Sequence, residues 1–173
     1  MKLLTKILAF ISLGLMMSSL AFAHGPTPQK VDEDIIVNAD VMKVWNMVKT
    51  FDSLAKWHPS VKSIVMTDPD TRVVTLKSGG DMTDSLDEVN KEELYISYRL
   101  LEENVTAFPV SFYTINIQVI PEGSNSKVTW SGRFYRGDTG NFPAENLNDE
   151  AAVGAMTNYA KSGLQGLKSM VEK

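Results

Sequence analysis

The sequence predicts one α+β domain in which a strongly curved antiparallel sheet wraps around a long C-terminal helix. Three observations predict it. First, three late segments alternate with a period of two. Leu94, Ile96, Tyr98 and Leu100 alternate with Tyr95, Ser97 and Arg99; Tyr113, Ile115, Ile117 and Val119 with Thr114, Asn116 and Gln118; and Val128, Trp130, Gly132 and Phe134 with Thr129, Ser131 and Arg133. Such runs are strands with one buried and one solvated face, and their spacing suits antiparallel hairpins. Second, the chain ends on a helical stripe of Val153, Met156, Ala160, Leu164, Leu167 and Val171. Third, the sheet has one apolar face and only one long helix to cover it. Curvature satisfies both, and it leaves a cavity between sheet and helix.

The elements follow in order. Residues 1–23 read as a secretory signal: Lys2 and Lys6 supply the positive region, Ile7 to Met17 the apolar stretch, and Ala21-Phe22-Ala23 the small-residue cleavage pattern. The apolar run is too short for a comfortable membrane span, and no second one follows it. Residues 24–30, rich in proline, form an extended leader, and residues 31–173 form the domain. Val31 to Val37 is β-rich. Asn38-Ala39-Asp40 offers helix caps, and Val41, Val44, Trp45 and Val48 then keep helical spacing to near Thr50. Phe51 to Trp57 is a second short helix or turn, stopped by Pro59. Strands follow over 61–66, 71–77 and, more polar, 82–89, with turns at Asp68-Pro69-Asp70 and Gly79-Gly80. Residues 136–147 form a loop. The last helix opens near Asn148-Asp149-Glu150, with acids at its start and Lys161, Lys168 and Lys173 towards its end, as its dipole favours. Gly154, Gly163 and Gly166 weaken it, and glycines so placed let a helix lie close to another backbone.

Composition narrows the function. The formal charge is −4, and loss of Lys2 and Lys6 with the signal makes it −6. An acidic chain of this size argues against nucleic-acid binding and suits a basic protein partner. There is no cysteine, so disulfides, thiol catalysis, thiolate metal sites and a lipidated N-terminal cysteine are all excluded.

The order of elements resembles the START-like superfamily, the helix-grip or polyketide cyclase/dehydrase-like proteins. The residues that carry the likeness are Asn38 to Trp45 after the first strand, the Trp57-His58-Pro59 stop, the Val128-Thr129-Trp130-Ser131-Gly132 strand and the closing helix. The leader His24-Gly25-Pro26-Thr27-Pro28-Gln29-Lys30-Val31 behind a signal peptide is similar to the MxaD-type periplasmic accessory proteins of methanol oxidation. That resemblance implies a periplasmic chain that assists a quinoprotein methanol dehydrogenase and its cytochrome c acceptor. It implies no catalytic residues and no cofactor. Two other functions stay open: a carrier of a small lipophilic ligand in the sheet–helix cavity, and a cyclase- or hydrolase-like enzyme.

The candidate residues follow from chemistry. Tyr98, Tyr113, Trp130, Phe134 and Met156 are expected to line the cavity or the plain core. His58 is a possible base, although no nucleophile motif accompanies it; its structural alternative is a histidine packed at a helix–strand junction on a backbone carbonyl. Asp84 shares a strand side with Met82 and Leu86. Buried there, its pKa would rise unless it paired, for example with Arg99 or Arg133. The alternative favoured for it is a solvated edge strand. His24, once N-terminal, could chelate copper through its amine and imidazole, with a flexible terminus as the alternative. The loop Gly137 to Phe142 is a possible mouth or partner surface.

Overall fold

The computed structural model describes residues 25–173; the signal-peptide reading and His24 lie outside them. Strand β1 spans Gln29–Val37 and helix α1 Val41–Val48. Phe51–Ser53 makes a single 3-10 turn and α2 spans Leu54–Trp57. Six strands follow: β2 Val61–Asp68, β3 Thr71–Leu76, β4 Asp81–Asn90, β5 Tyr95–Glu102, β6 Val110–Glu122 and β7 Asn125–Arg136. A 3-10 turn at Glu145–Leu147 leads into α3, Asp149–Val171. All seven strands form one antiparallel sheet in the order β1-β7-β6-β5-β4-β3-β2.

Local chemistry sets the helix starts. The Asp40 carboxylate accepts from the Met42 amide at 2.8 Å, and the Asn148 side chain from the Ala151 amide at 2.9 Å. Each satisfies a backbone donor that the first helical turn leaves open. The core lies between the inner face of the sheet and α3, which runs along β1 and β7. Ala152, Met156, Ala160, Leu164, Leu167 and Val171 face inward from α3. Val153, predicted in that stripe, is 36% exposed, because the helix turns Ala152 inward instead.

The polar strand β4 departs from expectation more sharply. It lies between β3 and β5, well inside the sheet rather than at its edge. Met82, Thr83 and Asp84 are buried in succession, which strict alternation forbids. The register with β5 shifts between Thr83 and Asp84, and such an irregularity changes which face each side chain takes.

Candidate functional site

Two polar centres lie inside the fold. The first is built by register: Arg72 on β3 and Asp84 on β4 are direct cross-strand partners. Both side chains are 2% exposed. Arg72 Nε donates to Asp84 Oδ2 at 2.9 Å, and Nη2 lies 2.8 Å from the same oxygen. Arg72 Nη1 donates to the Phe51 carbonyl at 2.6 Å, and the Tyr113 hydroxyl donates to Asp84 Oδ1. The guanidinium lies 3.9 Å from the centroid of Phe51 and 4.7 Å from that of Tyr98, a stacked cation–π arrangement. Burial raises the Asp84 carboxyl, against the pull of Arg72 and the Tyr113 hydrogen bond. Burial penalises the Arg72 cation, but the charge and hydrogen bond of Asp84, together with Tyr98 and Tyr159, outweigh it and raise the Arg72 pKa. Burial also holds the Tyr98 and Tyr113 phenols well above their ordinary range.

His58 forms the second centre, at the junction of α2 and β2. Its Nδ1 accepts the Ser60 amide at 3.1 Å, so the ring proton resides on Nε2, 3.0 Å from the Tyr159 carbonyl of α3. Burial lowers its pKa to about 4, with the positive charges of Arg72 and Lys77 acting in the same direction. The Tyr159 ring stacks on the imidazole at 3.9 Å, and Trp130 presents an edge at 6.0 Å. The helix reaches this junction through its glycines. A Cβ at Gly163 would lie 2.7 Å from His58 Cδ2, and one at Gly166 would run into the Trp57 carbonyl. Gly154 faces open space and has no such role.

A groove of about 360 Å³ opens on the other side of Tyr159 and includes Ser60, Leu76, Ala107, Phe108 and Ala155 in its walls. Phe108 packs against the Tyr159 ring at 5.3 Å. The groove therefore shares Ser60 and Tyr159 with the hydrogen bonds of His58.

A family model described as polyketide cyclase/dehydrase and lipid transport matches residues 28–172, nearly all of the domain. The chain belongs to this family. Its fold is similar to that of an uncharacterised Bacillus thuringiensis protein (25% identity, TM-score 0.71), over 84% of this chain and 100% of that one. The Bacillus cereus protein XoxI is similar at 26% identity and TM-score 0.70, over 82% of this chain and 94% of that one. An aromatase/cyclase, Zhui, from a Streptomyces species shares the fold at 17% identity and TM-score 0.67, over 84% and 94%. No curated protein matches the chain by sequence. The helix-grip architecture is thus the architecture of the family.

Against that fold the predicted residues separate. Tyr98, Tyr113, Trp130, Phe134 and Met156 are all buried in the core, and none lines the groove. Neighbouring side chains fill the space before them: Tyr98 meets Phe51 at 5.9 Å and Tyr113 at 6.3 Å between centroids. Asp84 takes Arg72 as its partner, not Arg99 or Arg133. Arg99 pairs instead with Asp87 at 3.2 Å, 59% exposed, and Arg133 is exposed. Both point to the outer face, away from the inward Asp84. Arg72 was missed although its signal was present: it alternates with Val74 and Leu76, both buried. The loop after β7 is held by Arg136, which donates to the carbonyls of Asp138 and Gly140 at 2.7 and 2.8 Å and leaves Phe142 96% exposed. Among the described residues, no three His, Asp or Glu side chains are grouped to hold a metal, and no helix is long and apolar enough to cross a membrane.

Proposed function

We propose that this chain is a non-catalytic accessory protein of periplasmic methanol oxidation, acting on a methanol dehydrogenase and its cytochrome c. The observation that carries the non-catalytic part is the closure of both interior polar centres. Asp84 gives one oxygen to Tyr113 and the other to Arg72, and each His58 nitrogen has a backbone partner. A general base needs a lone pair that its substrate can reach; here the Ser60 amide takes that of His58, and both Asp84 oxygens are bonded inside the core. The partner and the compartment rest on the sequence: the signal-like residues 1–23, the leader after them, and the acidic balance that suits a positively charged partner. Binding to purified dehydrogenase and cytochrome at low ionic strength, fading as salt rises, is the expected result. No association with either at low salt overturns the reading.

The groove beside Tyr159 favours a second reading, carriage of a small apolar ligand, because Leu76, Ala107, Phe108 and Ala155 give it apolar walls. Mass spectrometry of an organic extract of the native protein tests it. A bound apolar molecule at near-stoichiometric amount is expected, and an empty extract overturns it.

A further inference from the structure

We propose that strand β2 is a self-pairing edge through which two copies of this chain form a symmetric dimer. The inference is independent of the function proposed above. The sheet ends on two strands, β1 and β2, and an uncovered edge offers a row of unpaired backbone donors and acceptors. The β1 edge is defended. It carries Asp32, Glu33 and Asp34 in succession; Lys161 of α3 pairs with Glu33 at 3.6 Å; and Lys168 donates to the Ile36 carbonyl at 2.8 Å. Among the described residues, the β2 edge has no such cover beyond its first residues. Val65 is 58% exposed and Met66 37%, and its only charges are Lys62 and Asp68, one near each end.

Those residues are self-complementary in one register. In an antiparallel pair, opposed side chains share a face of the sheet, so a two-fold axis normal to the sheet must pass beside a residue and its own copy. Centred on Val65, the pairing sets Ile64 against Met66 of the partner subunit within the regular stretch, and beyond it brings the Lys62 end of one strand towards the Asp68 end of the other. Apolar then meets apolar at the centre, and the ends that approach each other carry opposite charge. Moving the centre to Ile64 brings the two Lys62 cations closer together, and moving it to Met66 does the same for the two Asp68 carboxylates. The register with β3 shifts between Val61 and Ser63 and again between Met66 and Asp68, so the regular stretch is Ser63 to Met66. The interface is therefore short and the dimer weak. It also closes on itself, because only the defended β1 edges remain outside.

Sedimentation velocity of the purified protein, from low to several hundred micromolar, is expected to show a monomer–dimer equilibrium. Val65→Lys opposes two ammonium groups across the axis and weakens the dimer by about tenfold or more, with the circular dichroism of the monomer unchanged. The chain has no cysteine, so Val65→Cys introduces a single thiol, and mild oxidation is expected to cross-link it to its own copy. Thr114→Cys, exposed on a central strand, is the control and stays monomeric. A monomer at every concentration, a dimer indifferent to Val65→Lys, or equal cross-linking of the control overturns the proposal.

Discussion

Acidification should destabilise this protein through one residue, His58. Burial lowers its folded pKa from 6.5 to about 4, so the unfolded chain takes up a proton over that interval and the folded chain does not. The stabilisation is fully present above pH 6.5 and drains away as pH falls towards 4. The interval corresponds to about 3 kcal/mol at roughly 1.4 kcal/mol per pH unit. With a urea dependence of about 2 kcal/mol per molar for a domain of this size, the midpoint moves by about 1.5 M. The physical origin is explicit. A protonated ring would place an N–H at Nδ1 against the Ser60 amide, two donors facing one another in the core. The assay is urea unfolding at half-unit steps from pH 7.5 to 4, on the native sequence and on His58→Gln. Asp84 also titrates abnormally, and its raised carboxyl acts in the opposite sense: its contribution is present at low pH and lost as pH rises through the raised value. Both proteins keep Asp84, so the difference between their curves isolates His58. That difference should shrink by about 1.5 M on acidification. Parallel curves would refute the reasoning.

Further predictions concern packing and charge. Asp84→Asn leaves the Arg72 cation buried beside a neutral amide and should cost about 3–5 kcal/mol in chemical denaturation, while the paired Arg72→Met, Asp84→Leu replacement should recover most of that loss. Gly166→Ala drives a methyl into the Trp57 carbonyl and should lower the melting temperature markedly, whereas Gly154→Ala, which meets nothing within 4 Å, should stabilise by up to about 1 kcal/mol. Phe112 holds a left-handed backbone at φ 47° while 66% exposed; Phe112→Gly should therefore raise stability by about 1 kcal/mol, read from the urea midpoint.

The sequence by itself determined the element order, because each element announces its own period. The alternation of β5, β6 and β7 and the stripe of α3 depend on residues two, three or four apart, and the caps at Asp40 and Asn148 on residues two and three apart. The order also sufficed for the helix-grip fold, since one apolar sheet face and one long helix leave few ways to bury both. Tertiary structure alone decided what those elements enclose. Whether Asp84 stands on an edge or inside depends on which strands flank β4, and pairing partners are set by distant segments. The register between β3 and β4 then chose Arg72 as its partner, because a cross-strand neighbour is one residue away in space and twelve away in the chain. The same holds for the expected cavity. Side-chain periodicity shows that Tyr98, Tyr113 and Trp130 point inward, but packing of Phe51, Arg72 and Tyr159 around them decided that they fill the core and that the open groove lies beyond Tyr159.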